Sequence, residues 1–127
     1  MMLQTVHTEK APAAVGPYSQ AIKAGNFLFI SGQLGLNMET GKIAYDSVED
    51  QVTQVLKNLA AIARQGGSSL DRAVKVTVYL TDLNDFDKMN SIYGSFFKEN
   101  PPARVCVEVG ALPKGVSVEM DAICVCD

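Results

Sequence analysis

The sequence predicts an α+β sandwich: a β-sheet with two helices packed on one of its faces. Three observations lead there. Apolar residues recur at helical spacing in two segments and alternate at strand spacing in several others, in the order strands, helix, strand, helix, strands. The chain has 127 residues with 47% hydrophobic and 20% charged, the balance of one soluble domain with a real core, taken as residues 1–127. No segment is an internal repeat, a low-complexity tract or a Pro/Ser-rich linker.

The elements follow in order. Pro12 and the Gly16-Pro17 pair interrupt the N-terminal segment, whose start is expected to fray. Ala24-Gly25-Asn26 reads as a hairpin turn into the strand Phe27 to Ser31, and residues 38–42 as a second turn. Ser47 to Gln65 predicts a helix, because Val48, Val52, Val55, Leu56, Leu59, Ile62 and Ala63 share one face. Ser47 and Asp50 resemble a capping box, and Gly66-Gly67 supplies the stop.

Residues 73–80 alternate strictly and predict a strand with Val74, Val76, Val78 and Leu80 on one face. Thr81-Asp82 offers a cap for a second helix, roughly 82–98, with Phe86, Met89, Ile92, Tyr93, Phe96 and Phe97 on its apolar side and Pro101-Pro102 ending it. Strands follow at about 104–109 and 116–125. In the first, Val105, Val107 and Val109 face one way and Arg104, Cys106 and Glu108 the other. In the second, Val118, Met120, Ala122 and Cys124 oppose Glu119, Asp121, Ile123 and Val125. A sheet face that mixes Ile and Val with carboxylates meets solvent, a ligand or another subunit.

Composition narrows the function. The net charge is −3 and no basic run stands out, which weighs against phosphate-backbone binding. No apolar run is long enough to span a bilayer, and the first residues lack a secretory signal pattern. Cys106, Cys124 and Cys126 form no C-x-x-C pair and read as reduced thiols, which points to the cytoplasm. The one histidine, His7, stands near the terminus, so a multi-histidine metal site is excluded, and the cysteine spacing gives no zinc pattern. No phosphate-binding glycine loop is present.

Arg104 is the leading candidate for a ligand contact. An arginine in a mostly apolar strand is costly unless an anion meets it, and its planar fork suits a carboxylate. The competing reading is an edge arginine reaching water. Glu119 is the candidate chemical partner, against the plainer reading of a solvated strand residue. Cys106 packs as a small hydrophobe unless its pKa is lowered. Tyr18, after a rigid Gly-Pro turn, is either a lid or packing; Phe86 and Asn90, four apart, share a helix side.

V-G-P-Y-S-Q-A at 15–21, I-S-G-Q at 30–33, L-N-D-F at 83–86, P-P-A-R-V-C-V-E-V at 101–109 and V-E-M at 118–120 together resemble the RidA (YjgF) family, in order and over nearly the whole chain. The resemblance implies a chorismate-mutase-like fold, a mixed sheet backed by two helices, assembled as a homotrimer with clefts between subunits. It implies hydrolysis of the reactive 2-imino acids 2-iminopropanoate and 2-iminobutanoate to 2-oxo acids and ammonia, without a cofactor. It also implies roles: Arg104 clamps the substrate carboxylate, Glu119 positions the attacking water, and Tyr18, Ser31, Gly32, Phe86, Asn90 and Cys106 line the cleft. Other members of the family carry the labels endoribonuclease and translation inhibitor, so RNA cleavage and a non-catalytic holdase or scaffold role stand as alternatives.

Overall fold

A computed structural model describes residues 2–126 of the chain. Six strands form one sheet in the order β1-β2-β3-β8-β6-β7: β1 is Leu3–Val6, β2 Ala21–Ala24, β3 Phe27–Gln33, β6 Ala73–Leu80, β7 Ala103–Glu108 and β8 Val118–Val125. All neighbours pair antiparallel except β6 and β7, which run parallel. The parallel pair needs a crossover, and the second helix, α2 (Phe86–Phe96), supplies it. A small separate ladder joins β4 (Leu36–Asn37) to β5 (Lys42–Ile43).

The first helix, α1, spans Val48–Gln65 and starts where the capping pattern predicts: Ser47 Oγ accepts from the Asp50 backbone N–H at 3.0 Å. Gly66 and Gly67 end it, with Gly67 at positive φ. Its buried stripe, Val52, Val55, Leu56, Leu59 and Ile62, packs on β3, β8 and α2. The alternation of β8 is complete: Val118, Met120, Ala122 and Cys124 are buried beneath the helices, and the residues between them are half-exposed. Both helices therefore cover one sheet face, and the opposite face leaves Phe27, Phe29, Val105 and Val107 exposed.

The structure corrects several sequence expectations. The N-terminal segment is not a frayed tail but an edge strand, with Leu3 to Val6 paired to β2. Val74 does not share the buried face of Val76, Val78 and Leu80. A β-bulge sits there, since Ala73 and Lys75 pair with successive residues of β8, and Val74 is exposed. The second helix is shorter than 82–98. Asp82 caps a single 3-10 turn at Leu83–Asp85 by accepting from the Asn84 N–H, and the α-helix ends at Phe96, before Asn100 takes a positive φ.

Candidate active site

The candidate residues fall into two groups on opposite sides of the sheet. The first surrounds Glu119. In β3, three steps from Ile30 to Gln33 match two steps from Ala122 to Met120 in β8, so a bulge inserts an extra residue at Ser31-Gly32. The bulge brings Gly32 against the Glu119 side chain. A Cβ on Gly32 would overlap the Glu119 carboxylate, so any larger residue there requires that side chain to move. Ser31 is fixed by its N–H donating to the Gln20 carbonyl at 2.9 Å and its hydroxyl donating to the Ser19 carbonyl at 2.6 Å. Tyr18 stands exposed at the rim, its hydroxyl accepting from the Val15 N–H at 3.4 Å.

These residues line a cleft of about 510 Å³ whose walls also include Pro12, Leu36 and Lys114. Burial, and then the neighbouring Asp121 carboxylate, raise the Glu119 pKa above its ordinary value. Asp121 accepts from the Tyr79 hydroxyl at 3.0 Å, and Tyr79 is the cross-strand partner of Glu119. The result is a half-buried carboxyl that holds a proton more readily than a solvated glutamate, in an open cleft.

The second group surrounds Arg104. Arg104 and Cys106 are in register with the buried Val76 and Val78, so both side chains lie on the helix side of the edge strand β7. Arg104 Nη1 donates to Asn90 Oδ1 at 2.8 Å, and its guanidinium carbon lies 5.5 Å from the Phe86 ring centroid and 4.8 Å from that of Tyr93. Burial raises the Cys106 pKa, with Arg104 pulling the other way, so the thiol stays protonated at neutral pH.

Thus Arg104, Cys106, Phe86 and Asn90 come together, and so do Glu119, Gly32, Ser31 and Tyr18, but within one chain the two sets do not meet. Glu119 is in register with Tyr79 on the outer face, while Arg104 is in register with Val76 on the inner one. Arg104 and its candidate chemical partner Glu119 therefore do not meet inside a single subunit.

Three residues at these sites have no assigned role in the sequence reading. Gln20 is buried and knits the rim: its Oε1 accepts from the Thr8 N–H at 2.7 Å, and its Nε2 donates to the carbonyls of Thr8, Ala11 and Pro12. A glutamine directly after P-Y-S was the available signal. Lys114 lines the Glu119 cleft in a left-handed conformation, its carbonyl accepting from the Tyr45 hydroxyl at 2.6 Å. Nothing in the local sequence distinguishes it from a surface lysine. Tyr93, counted only as core, lies under Arg104.

A family model described as Endoribonuclease L-PSP matches residues 8–126. Among curated relatives, Reactive Intermediate Deaminase A of Arabidopsis thaliana, a chloroplastic protein, is 51% identical over 120 residues, covering 94% of this chain and 64% of its own length. The chain belongs to the RidA family. A RutC family protein of Pyrococcus abyssi is 53% identical over 123 residues, 97% of either chain. The crystal structure of RidA from the Antarctic bacterium Psychrobacter sp. PAMC 21119 superposes with a TM-score of 0.92 at 48% identity, covering 96% of this chain and 98% of that one. Escherichia coli TdcF with bound serine gives 0.92 at 39%, covering 98% and 99%. The mixed sheet and helix pair are therefore the RidA family fold. Among the described residues, no helix is long and apolar enough to cross a membrane.

Proposed function

We propose that this RidA-family protein is a cytoplasmic deaminase that hydrolyses small 2-imino acids, 2-iminopropanoate and 2-iminobutanoate, to 2-oxo acids and ammonia. The observation that carries the reading is the pair of unlike half-sites. One presents a guanidinium already held by an acceptor and two rings; the other presents a half-buried carboxyl in a cleft. A 2-imino acid asks for both, a cation for its carboxylate and a proton acceptor for the water that attacks the C=N carbon.

In this reading Arg104 takes the substrate carboxylate and fixes the orientation of the reacting carbon. Glu119 takes a proton from water as the C–O bond forms and passes it to the imine nitrogen, giving the carbinolamine. It then takes the hydroxyl proton and hands it to the amino group as the C–N bond breaks, the C=O bond of the 2-oxo acid forms and ammonia leaves. Tyr18, Ser31 and Gly32 shape the water side, and Phe86, Asn90 and Cys106 the carboxylate side. Imines hydrolyse unaided, so positioning and one proton shuttle supply enough acceleration.

Because the two half-sites lie on opposite sheet faces, the complete cleft takes Arg104 from one subunit and Glu119 from its neighbour. The exposed Phe27, Phe29, Val105 and Val107 give the outer face the apolar character of a subunit contact, and a closed homotrimer builds three equivalent clefts. The reading of the protein as a nuclease lacks such support: the charge is net negative, and His7 is exposed and neither lines the Glu119 cleft nor touches Arg104.

A coupled assay tests the proposal. A threonine dehydratase generates 2-iminobutanoate, and 2-oxobutanoate release is timed with and without the protein. Wild type accelerates release, and Arg104→Ala lowers kcat/KM about 100-fold because the carboxylate loses its charge-assisted partner. Arg104→Lys retains part of the activity, since a point charge does not reproduce the planar fork. No acceleration by wild type, or full activity in Arg104→Ala, would sink the reading.

A further inference from the structure

An arginine on an edge strand ordinarily samples many rotamers, and ordering it for a ligand costs side-chain entropy at the moment of binding. Arg104 is held beforehand. Phe86, Asn90 and Tyr93 are spaced four and three apart along α2, so they form one stripe that turns toward β7. The amide of that stripe takes an Nη1 hydrogen, and both of its rings lie within the roughly 6 Å reach of a cation–π contact.

Tyr93 is the nearer ring and the better fixed one. It is 5% exposed, and it packs tilted at 41° on Phe97 with centroids 4.6 Å apart. Among the described residues its buried hydroxyl has no hydrogen-bond partner, and the ring face, not the phenol, makes the contact with Arg104. Among the described residues Asn90 is the one hydrogen-bond acceptor that meets the Arg104 side chain, which leaves most of the five guanidinium hydrogens to a ligand.

We propose that Tyr93 is a positioning residue for Arg104: its ring, backed by Phe97, sets the guanidinium plane in which a ligand carboxylate is received. The ligand half of this proposal rests on the carboxylate role given to Arg104 above, whereas the ring contact stands apart from it. Tyr93→Phe keeps the ring and removes an unsatisfied hydroxyl, so it folds at least as well as wild type. Tyr93→Leu keeps apolar bulk and removes the π face.

The experiment combines side-chain NMR with binding and kinetics. In wild type, the Arg104 side-chain protons are shifted upfield by the rings beneath them. That shift shrinks in Tyr93→Leu and persists in Tyr93→Phe. The Kd for 2-oxobutanoate and the KM for the imine rise about tenfold in Tyr93→Leu, with kcat changed less than about threefold, and Tyr93→Phe returns both to within about twofold. In an Arg104→Ala background, Tyr93→Leu adds no further loss.

A folded Tyr93→Leu with wild-type Kd, or an equal loss with and without Arg104, overturns the proposal. If Tyr93→Leu does not fold, Tyr93→Met and the wild-type ring shift carry the same decision; an unshifted Arg104 in wild type overturns it. If wild type shows the ring shift but binds no 2-oxobutanoate, the carboxylate role of Arg104 falls while its positioning by Tyr93 stands.

Discussion

The Arg104 half-site and the Glu119 half-site are built by opposite means. Around Arg104 the fold adds contacts: two rings and an amide from one helix stripe meet a charge that would otherwise wander. Around Glu119 it takes material away: a bulge frees Ser31-Gly32 from regular pairing, and a missing side chain leaves space for a carboxylate. The electrostatics differ in the same sense. The partners of Arg104 are neutral, whereas burial and Asp121 make ionisation of Glu119 harder. A group that binds an anion gains from fixed geometry and permanent charge; a group that shuttles a proton gains from a pKa brought toward neutrality.

The sharpest way to break this division of labour is Glu119→Gln. It keeps shape and removes proton acceptance, so turnover of the imine falls by about 10²–10⁴. The affinity for 2-oxobutanoate, set by Arg104, stays near wild type. Equal losses in kcat and in product affinity would show that the two half-sites do not have separate tasks.

A somewhat smaller effect comes from mixing. Arg104→Ala and Glu119→Gln chains are each nearly inactive alone. Combined in equal amounts by co-expression, they form clefts that pair an intact arginine from one chain with an intact glutamate from another. Random assembly restores about a quarter of the clefts, and the coupled assay reads the recovered rate. A mixture as inactive as its components would mean that the half-sites do not share a cleft.

The smallest effect sharpens the electrostatic contrast. Glu119 works as a proton acceptor only when ionised, so activity falls as pH drops through its raised pKa, above the ordinary 4.5. Asp121→Asn removes the second cause and leaves burial, which moves the acidic limb of kcat/KM toward lower pH. A limb that stays in place or moves up would contradict the assigned cause. The sign for stability runs the other way. The folded chain binds this proton more tightly than the unfolded chain, so Glu119 costs stability at neutral pH, and the cost disappears below 4.5.

Local signals in the sequence read well wherever one element decides its own form. The Ser47 cap, the helix beneath it, the turn at Gly25 and the alternation of β8 all follow from spacing within a few residues. Arg104 is a polar residue at the start of an apolar strand and Asn90 shares a helix side with Phe86, and the two do meet. What stayed hidden depends on pairing between distant strands. The bulges at Val74 and at Ser31-Gly32 leave the residue pattern unbroken and exist only relative to β8. The registers of β7 and β8 against β6 decide that Arg104 and Glu119 point to opposite faces although only fifteen positions apart. Alternation alone gives two faces for each strand, without saying which face of one strand matches which face of the next.

Gly32 turns that hidden geometry into a practical distinction. Its backbone does not need the left-handed conformation that makes Gly25 or Gly67 hard to replace, and it lies within strand β3. The obstacle to one more methyl group there is the Glu119 side chain. A library of variants sorted for soluble, folded protein would pass substitutions at this position, while the same library sorted for turnover would discard them. Positions of this kind separate the inheritance of a fold from the inheritance of a reaction, and here the divergence turns on a single absent carbon.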